Sequence, residues 1–179
     1  YKLGLGDPYC ISALSGSGKS ELAENIAVKF TGKKYYIAAM QPFGEEALKR
    51  IERHRKMRAE KGFETIEKYT DIDELTFTRK DLVLLECVSN LCANEMFSGR
   101  TDKNIAADKI ISGIEKINKV VSQLIVVTNE IFSDGILYEK ETIEYMKVLG
   151  EINRRIFECA DNVIESVYGI PYILKGNLT

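Results

Sequence analysis

The 179-residue sequence predicts a three-layer α/β fold, in which helices cover both faces of a mostly parallel sheet. Short apolar runs alternate along the chain with segments whose apolar residues recur at helical spacing, and this alternation is typical of such sheets. A glycine-rich turn joins the first apolar run to the first helical segment. Apolar residues make up 45% of the chain and charged residues 29%, which predicts a single domain over residues 1–179.

The elements follow one another with clear boundaries. Glycines at 32 and 62 end the first two helical segments, and Pro171 suits the start of an edge strand. Strands are predicted at Tyr9–Leu14, Lys34–Ala39, Phe63–Tyr69, Leu82–Leu85, Leu124–Val127, Val163–Val167 and Pro171–Leu174. Helices are predicted from Lys19, at Glu45–Lys61, at Val88–Phe97, at Ile105–Val120 and at Glu139–Ala160, with a polar loop at Ser98–Asn104.

The glycine-rich turn is the strongest local signal for function. Glycines at 16 and 18 allow backbone N–H groups to point at phosphate oxygens, and the helix that follows adds the positive end of its dipole. Lys19 can reach the β- and γ-phosphates, and the Ser20 hydroxyl can bind Mg²⁺. The predicted nucleotide contacts are Ala13, Leu14, Ser15, Gly16, Ser17, Gly18, Lys19 and Ser20. A turn without a ligand would not need Lys and Ser at these positions, so the pattern favours a P-loop NTPase-like (RecA-like) fold.

A carboxylate stands where a second phosphate-site motif would place one. Glu86 follows the apolar strand Leu82–Leu85, and with Ser20 it is a candidate ligand for the metal of a bound triphosphate. Aspartate is the commoner residue in that motif, so a contact through water is also plausible. A solvated carboxylate at the end of a strand is the equally weighted alternative.

The single histidine of the chain, His54, lies in a strongly basic segment. Residues 49–61 contain seven Lys or Arg and only two Glu, although the whole chain has a net charge of −2. On a helix, Ala47, Ile51, His54 and Arg58 share one face. One interpretation is a solvated helix with an incidental histidine, and another is a helix that binds an acidic surface. The third is a histidine nucleophile that attacks the α-phosphorus of a nucleotide, where nearby cations would favour the neutral imidazole.

Composition limits the remaining possibilities. No apolar run is long enough to cross a membrane, no signal peptide is visible, and the net charge does not call for nucleic acid. The four cysteines (Cys10, Cys87, Cys92 and Cys159) form no C-x-x-C pair. They are therefore predicted to be reduced thiols in a cytoplasmic protein.

Several ordered segments together resemble one known family. They are Gly16-Ser17-Gly18-Lys19-Ser20, Tyr36-Ile37-Ala38, Arg50-Ile51-Glu52-Arg53-His54, Phe63-Glu64-Thr65-Ile66-Glu67, Leu84-Leu85-Glu86-Cys87, Val127-Thr128-Asn129-Glu130, Gly150-Glu151-Ile152-Asn153, Ala160-Asp161 and Gly169-Ile170-Pro171. In this order they resemble the bifunctional adenosylcobinamide kinase / adenosylcobinamide-phosphate guanylyltransferase family of cobalamin biosynthesis. The resemblance extends from the phosphate loop to Lys175, which is nearly the whole chain.

The resemblance implies two reactions. A nucleoside triphosphate, ATP or GTP with Mg²⁺, phosphorylates the aminopropanol hydroxyl of adenosylcobinamide. GTP then guanylylates a histidine, and the cobinamide phosphate takes the GMP to give adenosylcobinamide-GDP. The implied catalytic residues are His54 and Lys19. Implied nucleotide contacts outside the loop are Met40, Gln41, Pro42, Arg55, Lys56, Met57, Arg58, Glu67 and Glu86. The family forms homotrimers, with the nucleotide near a subunit boundary.

The chain departs from the family pattern in several places. One extra residue separates His54 from the segment Phe63–Glu67, which shifts the register of Arg55–Arg58. Two family arginines fall on Ile143 and Met146. Glu130 is a candidate acid, base or corrinoid contact, or a cap of the next turn. Residues 118–121 lack the aspartate of the guanine motif of common GTPases, so the motif gives no residue that selects guanine.

Two other functions fit the sequence. The chain could be a simple small-molecule kinase that uses the phosphate loop without His54. It could also be a non-catalytic nucleotide-sensing module whose basic helix binds a partner. Labelling of the protein by GTP and turnover of adenosylcobinamide distinguish these from the bifunctional enzyme.

Overall fold

Seven strands form one sheet in the computed structural model, which describes residues 7–13, 18–129 and 139–177, and only the backbone of 7–13. The strands are β1 (Asp7–Ala13), β2 (Lys33–Ala38), β3 (Phe63–Glu67), β4 (Asp81–Glu86), β5 (Gln123–Asn129), β6 (Asn162–Val167) and β7 (Ile170–Lys175). Their order across the sheet is β3-β2-β4-β5-β1-β6-β7. Every neighbouring pair is parallel except β6 and β7. The predicted mostly parallel sheet is confirmed.

Helices cover both faces of this sheet. They are α1 (Lys19–Val28), α2 (Gly44–Arg58), α3 (Val88–Phe97), α4 (Ala106–Asn118) and α5 (Lys140–Cys159). In β4, Leu82 and Leu84 pack on the α1 side, whereas Val83 and Leu85 pack with α3, α4 and α5. Because side chains alternate along a strand, this central strand is buried on both faces, as its continuous apolar run predicts.

The structure corrects several predicted boundaries. The segment predicted as the start of a helix at Ile105 is a 3₁₀ turn, Lys103–Ile105, and α4 begins only at Ala106. The Asp102 carboxylate accepts a hydrogen bond from the Asn104 N–H at 2.9 Å, which caps the turn and separates it from the helix. A second 3₁₀ turn, Ile72–Glu74, was not predicted. The helix predicted as Glu45–Lys61 ends at Arg58.

The long helix α5 matches its prediction, but its apolar side is buried only in the middle. Leu149, Ile152 and Ile156 lie in the core, whereas Ile143 and Cys159 near the two ends are exposed. Twenty helical residues reach beyond the core that they cover. The described part of the chain contains no helix that could cross a membrane.

A tight turn joins β6 to the edge strand β7. Tyr168 and Gly169 both have positive φ, 52° and 79°, as two-residue hairpin turns require. The prediction of a turn at Gly169 followed by an edge strand is confirmed. Parallel strands end at the same edge of the sheet, so the carboxyl ends of β1, β2, β3, β4 and β5 meet at one crevice.

Candidate functional site

The phosphate-binding turn places the start of α1 at this crevice. Gly18 lies immediately before α1 with φ of 78°, a conformation that favours glycine. A Cβ atom at this position would also lie 3.3 Å from the Cα of Gly169. The backbone of Ala13 ends β1, whereas Leu14, Ser15, Gly16 and Ser17 lie outside the described residues. Of the predicted loop, the structure therefore describes both ends.

Glu86 lies at the end of β4 and receives hydrogen bonds from two elements. Its carboxylate is buried and accepts from the hydroxyl of Ser20 at the start of α1. It also accepts from the Tyr36 hydroxyl of β2 at 2.7 Å. Burial raises the pKa of Tyr36 well above its usual value, so this phenol remains a donor. The two residues predicted to hold a metal are thus in direct contact.

His54 reaches the same carboxylate from α2. Its Nδ1 atom lies 3.4 Å from Glu86 Oε1, the oxygen that also accepts from Ser20. Burial lowers the pKa of His54; Glu86 opposes this effect, and Arg58 adds to it. The imidazole is therefore favoured in its neutral form, as the basic helix predicts, although burial is the larger cause. Its side chain is 16% exposed, which rules out the interpretation of a fully solvated histidine.

Arg58 lies one turn beyond His54 and is almost completely buried. Its guanidinium group is 3.5 Å from the centre of the Tyr36 ring, a close cation–π contact. Two of its nitrogens, Nε and Nη1, have no hydrogen-bond partner in the described structure. Because buried donors are nearly always paired in proteins, unpaired guanidinium donors indicate a place for an acceptor from a ligand.

Lys61, just after α2, ties this helix to α1. Its ammonium group forms an ion pair of 2.6 Å with Glu24, whose side chain is fully buried. Burial raises the pKa of Glu24, and the hydrogen bond from Lys61 lowers it. The pair joins the segment after α2 to α1.

His54 lines two cavities, which also share Met40, Arg50, Glu86, Cys87 and Asn90. The first, here called the phosphate cavity, has a volume of about 390 Å³. It is lined by Gly18, Lys19, Ser20, Glu21, Met40, Arg50, Arg53, His54, Met57, Glu86, Cys87, Asn90 and Asn129. Burial is the largest influence on Lys19 and lowers its pKa. Cations from the loop and from α2 thus surround this cavity, which suits a polyphosphate.

The second cavity, here called the apolar cavity, has a volume of about 120 Å³. It is lined by Tyr36, Ala38, Met40, Pro42, Leu48, Arg50, Ile51, His54, Arg55, Arg58, Thr65, Glu67, Tyr69, Glu86, Cys87 and Asn90. At its rim, Glu67 forms an ion pair with Arg55 and accepts a hydrogen bond from the Tyr69 hydroxyl at 3.3 Å. Apolar walls with a few polar groups are typical of a site for a flat organic ring.

The structure brings most of the predicted site residues to these two cavities. Met40, Pro42, Arg55, Met57, Arg58, Glu67 and Glu86 all line one or both of them. Gln41 and Lys56 line neither, and Lys56 instead pairs with Glu52 on the exposed side of α2. The predicted contacts of Gln41 and Lys56 with nucleotide stay predictions. Glu130 lies outside the described residues.

Sequence reasoning missed several residues of the site. Tyr36, Asn90 and Asn129 line the cavities, yet none of them was predicted as a site residue, although Tyr36 and Asn129 stand in segments that carry the family resemblance. A weak signal existed for two of them. Asn129 is the last residue of β5 and Asn90 follows β4 closely, which are the positions where parallel sheets place functional side chains.

The donor set at Glu86 fits a magnesium ion. A carboxylate and a hydroxyl are hard oxygen ligands, and such sites are commonly completed by phosphate oxygens. Over residues 18–129 and 139–177, no group of three or more His, Cys, Asp or Glu could hold a metal ion. Ser20 and Glu86 would therefore hold the ion only together with a nucleotide.

Comparison with known proteins supports a nucleotide enzyme. The family model described as "Cobinamide kinase / cobinamide phosphate guanyltransferase" matches residues 11–174. The bifunctional adenosylcobalamin biosynthesis protein CobU of Escherichia coli K12 is 29% identical over 174 residues, with 89% of this chain and 94% of that protein covered. A GTPase Der of Phocaeicola vulgatus is 71% identical over only 31 residues, which is 17% of this chain and 7% of that GTPase.

The fold is shared with larger ATPases. A prototypical ATPase of the type III secretion system of pathogenic bacteria aligns with a TM-score of 0.55 at 14% identity. The alignment covers 90% of this chain and 51% of that ATPase, so the chain spans about half the length of that protein. At this identity the similarity shows the fold alone, and it confirms the predicted P-loop NTPase-like class.

Proposed function

The chain belongs to the cobinamide kinase / cobinamide phosphate guanyltransferase family, and on this premise we propose that it catalyses both reactions, with His54 as the guanylyl carrier. One observation carries the proposal: His54 lines both cavities and lies against the carboxylate that Ser20 contacts. A nucleophile between a phosphate-binding cavity and an apolar cavity is placed where the α-phosphorus of a bound nucleotide would lie.

A single GTP molecule can extend across both cavities. The β- and γ-phosphates lie at the start of α1 by Lys19 and Ser20, where helix dipole and ammonium charge stabilise them. The guanine ring occupies the apolar cavity, so that the α-phosphorus falls beside His54. This arrangement presents the α-phosphorus to the imidazole without requiring a second binding mode for the phosphates.

In the guanylylation step, the neutral imidazole attacks the α-phosphorus through its Nε2 atom, since Nδ1 is the atom near Glu86. A P–N bond forms as the bond from the α-phosphorus to the bridging oxygen breaks, and pyrophosphate leaves with the electron pair. A phosphate oxygen of the cobinamide phosphate then attacks the same phosphorus. The P–N bond breaks, the imidazole recovers its lone pair, and the product carries a new diphosphate linkage.

In the kinase step, the same phosphate cavity holds ATP or GTP with its γ-phosphorus toward the acceptor. Lys19 neutralises the charge that develops on the transferred group, and the amides at the start of α1 position it. Mg²⁺, when bound with the nucleotide at Ser20 and Glu86, would neutralise phosphate charge. The reaction joins the acceptor oxygen to the γ-phosphorus and releases a nucleoside diphosphate.

The apolar cavity also offers an explanation for guanine selection. The guanidinium group of Arg58 has only hydrogen-bond donors, and the carboxylate of Glu67 has only acceptors. Guanine presents acceptors at O6 and N7 and donors at N1 and N2, which matches this pair, whereas adenine presents a donor at N6 and an acceptor at N1. In common GTPases an aspartate of the guanine motif selects the base. Residues 118–121 lack that aspartate, and Arg58 and Glu67 take its role here.

A labelling experiment tests the proposal. The purified chain is incubated with Mg²⁺ and GTP labelled at the α-phosphorus, then denatured. An acid-labile, base-stable label indicates a P–N bond to the single histidine or to a lysine, and the His54→Ala variant distinguishes the two. His54→Ala should lose the label and still phosphorylate adenosylcobinamide. Absence of label on the unmodified chain would remove the transferase half and leave a simple kinase.

The matched control is Arg53→Ala, which removes a cation from the same helix and keeps the histidine. It should slow labelling only moderately, because Arg53 acts on the phosphates through charge alone. A nucleotide-sensing module predicts that the unmodified chain binds triphosphate without turnover, so phosphorylation of adenosylcobinamide would exclude that function. A homotrimer and a cytoplasmic location stay predictions from the resemblance and the composition.

A further inference from the structure

A chain of buried polar side chains leads from α5 across β5 to α3 and ends at the phosphate cavity. Thr128, fully buried, donates to the Asn153 Oδ1 atom at 2.6 Å. Asn153 in turn donates from Nδ2 to the backbone oxygen of Asn129 at 3.1 Å. Asn129 then donates from Nδ2 to the Ser89 hydroxyl at 2.7 Å. Ser89 and Asn153 are each more than nine-tenths buried.

One amide of this network has an oxygen left over. In the structure Asn129 donates its NH₂ group to the Ser89 hydroxyl, which leaves its Oδ1 atom as the remaining acceptor. That oxygen is buried and has no hydrogen-bond partner in the described structure. A network whose other members are paired, with one acceptor left unpaired at the edge of a cavity, indicates that a ligand supplies the missing donor.

The position of Asn129 identifies which part of a ligand that would be. It is the last residue of β5 and lies opposite Ala13, the last residue of β1 before the phosphate-binding turn. It lines the phosphate cavity together with Lys19 and Ser20, but it does not line the apolar cavity. A group held by Asn129 is therefore near the transferred phosphate and away from the proposed site of the guanine ring.

We propose that Asn129 forms the subsite for the acceptor alcohol of the kinase reaction, with Ser89 and Asn153 as positioning residues. This inference rests on the proposed function. The acceptor hydroxyl donates to Asn129 Oδ1, which aims an oxygen lone pair at the γ-phosphorus. As the O–P bond forms, the bond to the β–γ bridging oxygen breaks and the nucleoside diphosphate leaves with the electron pair. The hydroxyl proton passes to solvent, since an amide oxygen does not retain it at neutral pH.

Steady-state kinetics of the full chain test this subsite. With ATP saturating and adenosylcobinamide varied, Asn129→Ala should raise KM for adenosylcobinamide about tenfold, as expected for one lost hydrogen bond in a desolvated site. KM for ATP should stay within about twofold. Ser89→Ala frees the amide without removing it, so it should raise KM for adenosylcobinamide less, by about threefold.

Two readouts separate this effect from general damage. Labelling of His54 by GTP needs no acceptor, so it reports whether the variants fold and bind nucleotide. Asn104→Ala is the matched control, because Asn104 is exposed and bonds only to Asp102 over residues 18–129 and 139–177. It should leave both Michaelis constants unchanged.

The opposite pattern would overturn the inference. If Asn129→Ala raised KM for ATP and left KM for adenosylcobinamide unchanged, the amide would serve the γ-phosphate and not the acceptor. If both constants and kcat stayed at their original values, the unpaired oxygen would have no ligand. Failure of the proposed function would appear differently, as an unmodified chain that does not phosphorylate adenosylcobinamide at all.

Discussion

The two cavities beside His54 are built in different ways. One part of the phosphate cavity comes from consecutive residues, Gly18–Glu21 at the start of α1, and the rest comes from α2, α3 and the ends of β4 and β5. The apolar cavity has no such consecutive part, because its lining comes from α2, β2, β3, β4, α3 and the segments between them. The first cavity is therefore in part a local property of the sequence, and the second is wholly a property of the tertiary structure. A binding site of the second kind carries no motif.

Replacing the phosphate-loop lysine should have the largest effect, and it tests whether the two cavities act together. Lys19→Ala should reduce both adenosylcobinamide phosphorylation and His54 labelling by about 10³-fold, because both reactions need the β- and γ-phosphates held. The rate of adenosylcobinamide phosphorylation and the rate of His54 labelling are measured separately. Lys49→Ala is the control, since Lys49 is exposed and pairs weakly with Glu45. Labelling that survived Lys19→Ala would mean that the apolar cavity binds nucleotide independently.

Changing the rim carboxylate tests the apolar cavity alone. Glu67→Gln replaces one acceptor with a donor, which suits the C2 oxygen of xanthine and no longer suits the N2 amine of guanine. The ratio of labelling rates with GTP and XTP should shift toward XTP by about 10²-fold, and the Michaelis constant for ATP in the kinase step should not change. Glu64→Gln, on the same strand and outside both cavities, is the control. An unchanged ratio would remove Glu67 from base selection.

The ion pair between Lys61 and Glu24 joins α1 to the segment after α2. Lys61→Met leaves the Glu24 carboxylate buried without its partner, which should reduce the free energy of unfolding by about 2–3 kcal/mol at neutral pH. Lys56→Met breaks an exposed pair with Glu52 and should leave the midpoint of urea unfolding almost unchanged. Urea unfolding of the two variants compares a buried pair with an exposed one.

The loss of unfolding free energy in Lys61→Met should depend on pH in a definite direction. Burial raises the folded-state pKa of Glu24, and loss of Lys61 raises it further, so the carboxylate takes up a proton more readily in the folded chain. The deficit of Lys61→Met should therefore be largest at neutral pH and shrink as the pH falls toward the usual range of a glutamate. A deficit that is constant with pH would show that the loss of stability comes from packing around the methionine and not from the charge of Glu24.

The smallest expected change concerns the hydrogen bond to Glu86. Tyr36→Phe removes the donor at 2.7 Å but keeps the ring on which Arg58 stacks. Labelling of His54 should slow by about five- to tenfold, because the carboxylate that faces the imidazole is less firmly held. Tyr35→Phe, one residue earlier and on the other face of β2, should have no effect on labelling. Equal rates for the two variants would mean that Glu86 is positioned by other contacts.

Much of the fold could be predicted from sequence because its determinants are local. The continuous apolar run of β4 predicts a central buried strand, and the glycine-rich turn predicts the start of α1. The 3₁₀ turn at Lys103–Ile105 could not be predicted from apolar spacing, since it depends on one capping carboxylate. Its last residue, Ile105, continues the apolar pattern of α4, which hides the boundary.

The candidate site divides in the same way. Lys19, Ser20 and Glu86 could be predicted from motif and strand position, and the basic face around His54 could be predicted from helical spacing. The stacking of Arg58 on Tyr36 could not, because the two residues lie on different elements and are 22 positions apart in sequence. Asn129 stands in a segment that carries the family resemblance but was given no role, because a single asparagine at the end of a strand has no spacing pattern and its hydrogen-bond partners lie in α3 and α5.

One oxygen atom, Glu86 Oε1, faces both the hydroxyl of Ser20 and the imidazole of His54. In the proposed mechanism Glu86 serves both reactions, so a mutation at this position alters the kinase and the transferase activity together. Natural selection therefore cannot change one activity at this position without affecting the other. Descendants of this chain that lose one reaction are therefore expected to change residues on α2 first, and to keep the carboxylate.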